Sequence, residues 1–397
     1  RRKSPYVFAL FVIVVAFYMI WRLHVSRNGE KQLSMMKTLV NAFNNAYFQY
    51  KHSHHQYLTE ADFPKIELTL PLLNDKVQLF AFATKINNLL CISMETALLS
   101  GWKYQLIGPA FRGKFGNKLH RGTSYLEKIT VLQALIEQLP GDTLILWADA
   151  YDVIYQGKAA EFESRFLAAL SQSHFNMSHA HNISIFNAEQ KCSPYKNLGN
   201  IFRCEAMQGK EFVSLMGSSK AGSVKALACK LQDALLPAGS RSRKKYFNAG
   251  LSAGTLSAYA AIARNLKAAV HSLPDGCLDD QALIGWQYIH ATAPILLDHS
   301  SSLFDTQALS EFRFDPSCGL FHQADRSSGR APQPPVFPTA IHHAGSKTNY
   351  SAFRDTLMQW HFGDDGSRQA AFFANASVYV DGALRPFTEV CGPKKMR

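Results

Sequence analysis

"LILWADAYDVIYQG", residues 144–157, carries an apolar run from Leu144 to Ala148 into two aspartates, Asp149 and Asp152, with Tyr151 between them. A short apolar run closed by turn-forming residues reads as a buried strand. Two carboxylates three residues apart at its end can both reach one cation. Oxygen donors suit Mg2+ and Mn2+, and an added imidazole shifts the preference toward Mn2+. A solvated turn produces the same D-x-x-D pattern, so this stretch alone leaves both readings open.

Working outward, strand and helix signals alternate. "VQLFAFAT" (77–84) reads as a strand ending at Thr84, and "INNLLCISMETALLSG" (86–101) as a helix closed by Gly101. "KYQLIG" (103–108) is a second strand. "SYLEKITVLQALIEQLPG" (124–141) is a helix with Ser124 at its N-cap and a break at Pro140-Gly141. The opening stretch is then the third strand, and "AAEFESRFLAALSQS" (159–173) a further helix. This order predicts an α/β nucleotide-binding half with a parallel sheet inside. Ligands of such sheets bind beyond the carboxyl ends of the strands, which is where Asp149 and Asp152 fall.

The later chain is less regular. "KKYFNAGLSAGTLSAYAAIARNL" (244–266) reads as a glycine-bearing turn running into a helix, and "LDDQALIGWQYI" (278–289) as a helix opening on acids. "PILLDHSSSLFDT" (294–306) reads as a strand and loop, and "FPTAIHHAGSK" (337–347) as a strand ending on two histidines. Adjacent strand residues face opposite ways, so only one of His342 and His343 should serve a common site.

Of 397 residues, 47% are hydrophobic and 18% charged, which is enough apolar surface for a substantial core. The formal charge of +12 is scattered apart from "RSRKK" (241–245), with no aromatic-interleaved basic patch, which argues against nucleic acid. At the N-terminus, "RRKSPYVFALFVIVVAFYMIW" has an uncharged stretch from Ser4 to Trp21 behind three basic residues. As a helix it is about 27 Å long, matching a bilayer core, and its bulky exit favours an uncleaved anchor over a cleaved signal. The basic flank places the N-terminus in the cytoplasm and the body in the lumen. N-x-S/T sequons at Asn176, Asn182, Asn349 and Asn375 agree with that topology. So does the scatter of seven cysteines, none in a zinc-type CxxC spacing. Cys192 and Cys204 are near in sequence, but the pairing cannot be read from the chain. The organisation expected is a tail and transmembrane anchor (1–27), a stem (28–77), a catalytic domain (78–350) and a C-terminal extension (351–397).

Eight segments, in order, resemble the glycosyltransferase domain of the procollagen lysyl hydroxylases. They are "LFAFAT", "LEKITVLQAL", "LWADAYDVI", "FNAEQKCSP", "YFNAGLSAGTLSA", "DDQAL", "LLDHSSSLF" and "AIHHAGSK", and they span residues 78 to 350. The resemblance implies a GT-A-type nucleotide-sugar-binding fold, a Rossmann-like mixed sheet flanked by helices, that uses a UDP-sugar and Mn2+. It also implies roles by position. Asp149, Asp152 and His342 match the metal ligands. Thr84, Lys128 and Tyr151 match nucleotide contacts, Tyr151 against the uracil. Gly345 and Lys347 approach the diphosphate, the lysine about one position out of register. Asn248 matches a sugar-side turn, and Asp279 and Asp280 an acidic pair near the transferred sugar. Glu189 reads as a hydrogen-bond partner for the acceptor hydroxyl, or as a loop closure. Asp279 and Asp280 equally suit a helix start, where acids are favoured by the dipole.

Two departures concern the acceptor side. The family's Cys-Trp-Pro is Cys192-Ser193-Pro194 here, and the glycine-asparagine step after the metal histidine is His343-Ala344. The hydroxylase module's H-x-D motif is absent from the sequence. The expected protein is a single-pass type II membrane enzyme of the Golgi or endoplasmic reticulum. It would move a hexose from a UDP-sugar to a hydroxyl-bearing protein or glycan. The rival reading is a lumenal pseudoenzyme of the same fold that binds without turnover.

Overall fold

The computed structural model describes residues 68, 70, 76–108, 123–172, 181–190, 244–272, 280–289, 291–306, 312–323, 335–343 and 350–392, which belong to one compact unit. The apolar stretch 4–21, most of the stem, Asp279, Gly345, Lys347, Cys192, Ser193, Cys204 and the sequons at Asn176 and Asn349 lie outside the described residues. Among the described residues no helix is long and apolar enough to cross a membrane.

The first half follows the sequence pattern. Strands β1 (Val77–Phe82), β2 (Tyr104–Ile107) and β3 (Leu144–Asp149) are parallel, linked through helices α1 (Asn88–Leu99) and α2 (Thr123–Gln138). The Asn87 side chain caps α1 by accepting from the Leu90 N–H, and Gly101 just past its end takes a φ of 77°. Ser124 lies inside α2 rather than at its N-cap.

After β4 (Val153–Tyr155) and α3 (Phe162–Gln172) come β5 (Ser184–Glu189), β6 (Tyr246–Thr255), α4 (Leu256–Ser272) and α5 (Asp280–Ile289). Strands β7 (Ile295–Asp298) and β8 (Phe304–Thr306) follow, then the hairpin β9 (Phe312–Asp315) and β10 (Leu320–Gln323), and β11 (Ala340–His342). With β12 (Ser377–Val380) and β13 (Ala383–Pro386) from the C-terminal segment, the sheet has eleven strands among the described residues, in the order β13-β12-β2-β1-β3-β6-β5-β8-β11-β4, with β7 beside β5. It is mixed: β6 runs antiparallel to both β3 and β5, and β4 antiparallel to β11.

Alternation along the strands builds two apolar layers. Phe80, Ile145, Trp147, Phe186 and Phe247 face α2, α4 and α5. Leu79, Leu106, Leu146 and Leu251 face the opposite way, toward α1 and α3. Each fully buried Leu or Phe contributes about 1.5–3 kcal/mol relative to exposure.

Two expectations are revised. Residues 246–255 form a ten-residue strand, not a turn. Their small residues sit mid-sheet, where register with β5 jumps from Phe186↔Ser252 to Asn187↔Asn248, leaving a bulge at residues 249–251. The second revision concerns the C-terminal segment, expected as an extension, which belongs to the same unit as the rest of the described residues. Helices α6 (Tyr350–Phe362) and α7 (Gly366–Asn375) lead to β12 (Ser377–Val380), β13 (Ala383–Pro386) and α8 (Phe387–Val390), and β12 extends the sheet parallel to β2. Cys391 forms a disulfide with Cys91 of α1, 300 residues away in sequence. Arg354 of α6 grips the buried Glu95 of α1 at 2.7 and 3.1 Å. Within the stretch read as stem, Leu68 and Leu70 pack against the core.

Candidate metal and nucleotide site

The β3–β4 turn and the end of β11 meet at one place. Asp149 is the last residue of β3, and Asp152 lies in the turn before β4. Strand β11 pairs with β4 so that His342 lies opposite Val153, next to Asp152. One ligand atom each from Asp149, Asp152 and His342 fall within 4.8 Å of one another. His342 Nε2 is 3.5 Å from Asp152 Oδ1. The imidazole is buried, and its Nδ1 has no hydrogen-bond partner among the described residues. Burial would push its pKa down, but the carboxylates of Asp152, Asp149 and Glu189 reverse this and hold it above the ordinary imidazole range.

The bulge in β6 makes room for that ring. A Cβ on Gly250 would lie 2.2–2.6 Å from His342 ring atoms, so only glycine fits beneath the imidazole. The Gly250 N–H donates to Asn248 Oδ1 at 2.8 Å, which closes the bulge. Asn248 is thereby buried as a backbone brace, and Gly250 makes room for His342 itself.

The remaining expected residues divide. Lys128 reaches in from α2, with Nζ 2.6 Å from Asp149 Oδ1 and 3.1 Å from Asp280 Oδ2. Burial opposes its charge, yet the two carboxylates more than offset this and keep it an ammonium. Asp280 is the first residue of α5 and is buried, with its carboxylate on Lys128. Tyr151 is half-buried; its hydroxyl accepts from the Lys85 N–H at 3.0 Å and donates to Lys85 O at 2.9 Å. The hydroxyl is thereby held at Lys85, the residue after half-buried Thr84, just past the end of β1. His343 turns away: its backbone N–H donates to Asp152 O at 2.7 Å, and its ring lies parallel to that of Tyr350. The structure therefore separates the two histidines as alternation requires.

Glu189, Thr306 and His342 form a row across adjacent strand ends, since Thr306 is in register with both of the others. Glu189 is buried and accepts from Gln281 Nε2 at 3.4 Å. Asn187, one alternation back along β5, donates to Thr306 Oγ1, while its own Oδ1 is buried and unpaired among the described residues. Asn187 and Thr306 were not singled out in the sequence. The available signal was polar residues at alternate positions in otherwise buried strands.

The donor set of two carboxylates and one imidazole, the open Nδ1 and the glycine cradle fit a divalent cation. No protein-family model and no curated protein matches the chain. Among solved structures, the chain is similar to the galactosyltransferase LgtC in complex with donor and acceptor sugar analogues. Identity is 11% and the TM-score 0.34, covering 72% of this chain and 94% of that one. It is also similar to an active-site mutant of LgtC, at 11% identity and a TM-score of 0.31, covering 72% and 95%. At so low an identity and TM-score, no residue role passes from LgtC to this chain.

Proposed function

We propose that the chain is a metal-dependent glycosyltransferase of GT-A type that moves a hexose from a UDP-sugar to a hydroxyl acceptor. The observation carrying this reading is the convergence of Asp149, Asp152 and His342 beyond the carboxyl end of β3. Asp149, Asp152 and His342 would hold Mn2+, which when bound supplies positive charge against the diphosphate leaving group. By the resemblance, Tyr151 and Thr84 would border the nucleotide, and Gly345 and Lys347, which lie outside the described residues, would serve the diphosphate. Glu189 lies one strand beyond Thr306 from His342, where a carboxylate can accept the acceptor's hydroxyl proton. Asp279 stays in this reading as a sugar-side acid.

The compartment proposed is the lumen of the Golgi or endoplasmic reticulum, with residues 4–21 as the type II anchor. The Cys91–Cys391 disulfide supports it, because such links persist in oxidising compartments. The exposed sequon asparagines Asn182 and Asn375 support it too. The test is a screen of UDP-hexoses with the purified full chain and Mn2+, reading UDP release with and without hydroxyl-bearing acceptor peptides. Acceptor-stimulated UDP release supports the reading. Nucleotide binding with no release from any donor would favour the pseudoenzyme instead.

A further inference from the structure

Lys128 stands between two acids that belong to different elements. Asp280 is fixed at the first turn of α5, where the helix dipole favours a carboxylate. Lys128 and Asp280 have side chains only 10% and 7% exposed, whereas that of Asp149 is 41% exposed. Lys128 lines a small cavity with Ile129, Leu132, Trp147 and Phe186, and its buried ammonium depends on its charged partners. Asp149 is the last residue of β3 to be held by pairing, opposite Phe82, so nothing in the sheet fixes its carboxylate.

We propose that Asp280 is a positioning residue that acts through Lys128 to set the Asp149 carboxylate, rather than a group that touches the sugar. This inference rests on the metal-site reading above. Asp280 shares the ammonium, and the shared ammonium takes Asp149 Oδ1 without claiming the whole carboxylate. The second Asp149 oxygen then remains for the cation. The Asp280 side chain is only 7% exposed, which leaves its second oxygen little access to a sugar. Without Asp280, Lys128 would face Asp149 alone and compete with the cation for the same carboxylate. If Lys128 is removed, the link from Asp280 to Asp149 is broken, so the identity of residue 280 should no longer matter to the cation.

The test is Mn2+ affinity of the full chain without donor, measured by electron paramagnetic resonance, for the wild type, Asp280→Asn, Lys128→Met and the double variant. Asp280→Asn should weaken Mn2+ binding about tenfold. In the Lys128→Met background the same change should alter affinity less than twofold. A tenfold loss that persists without Lys128 overturns the proposal. So does an Asp280→Asn protein with unchanged Mn2+ affinity and a reduced kcat, which is the pattern of a residue contacting the sugar. Should Asp280→Asn fail to fold, Asp280→Glu keeps the charge but displaces it, and about threefold weaker Mn2+ binding is expected. Wild-type affinity in Asp280→Glu would overturn the idea. If the wild type itself binds no Mn2+, the metal reading falls and the inference falls with it.

Discussion

The two halves of the central sheet handle polarity differently. In β1, β2 and β3 the buried polar groups before Asp149 are few: Gln78 and Gln105, which hydrogen-bond each other at 3.0 Å, and the Tyr104 hydroxyl, which has no partner among the described residues. In β5, β6, β8 and β11 the buried positions include Ser184, Asn187, Glu189, Asn248, Asp305, Thr306 and His342. Burying an amide or carboxylate without full compensation costs several kcal/mol, so folding alone would not select such a density. The difference teaches that the first half is built chiefly as framework, while the second half concentrates buried polar groups, including Asn187 Oδ1 and His342 Nδ1, which are unpartnered among the described residues. Changes in the polar half should therefore remove activity at little expense of stability, and changes in the framework should do the reverse.

The largest break should come at the ligands. Asp149→Asn, Asp152→Asn and His342→Ala should each lower UDP release about a thousandfold, about 4 kcal/mol of transition-state stabilisation, while thermal unfolding shifts little. A ligand variant that unfolds in parallel with its loss of activity would erase the distinction between the halves.

Next in size is a framework change. Cys91→Ser should remove the Cys91–Cys391 link and destabilise the chain by about 2–5 kcal/mol, read as a lower denaturant midpoint. Below that midpoint, kcat should hold within about twofold, because the disulfide joins α1 to the C-terminal segment in an apolar layer and neither cysteine belongs to the Asp149, Asp152 and His342 cluster.

Gly250→Ala sharpens the comparison, since it adds one methyl in the polar half. The Cβ would overlap the His342 ring, and a displaced ligand of about 1 Å costs about a hundredfold in rate. Mn2+ affinity should fall with it. An active Gly250→Ala enzyme would show that His342 is not held where the cradle implies. The smallest effect belongs to His343→Ala, whose ring lies on Tyr350. Its activity should remain within about threefold, and a loss matching that of His342→Ala would reassign the ligand.

Legibility in the sequence follows the same division. The β1–α1–β2–α2–β3 order could be read because the apolar runs and Gly101 agree with the final structure, although Ser124 lies inside α2 rather than capping it. Asp149, Asp152 and His342 were each named from sequence, and the structure brings them together. The β6 strand was misread because Asn248, Gly250, Ser252 and Gly254 look like turn residues. Only the imidazole packed on Gly250 and the seryl group packed on Gly254 explain why glycine occupies a strand there. The joining of 351–392 to the sheet edge was illegible for a different reason: parallel pairing of β12 with β2 is set by contacts far apart in sequence. The commitment of Asp280 to Lys128 was hidden too, since an acid at a helix start needs no partner to justify it.

The most direct test of the central claim is UDP binding to the full chain by calorimetry, with Mn2+ and with a chelator, for wild type and Asp152→Asn. If Asp149, Asp152 and His342 form a metal-dependent nucleotide site, wild type binds UDP with Mn2+ and loses at least about a hundredfold in affinity under chelation. Asp152→Asn should then show only the weak, Mn2+-independent binding. Equal UDP affinity in Mn2+ and chelator, or an Asp152→Asn protein that keeps the full Mn2+ dependence, would contradict it.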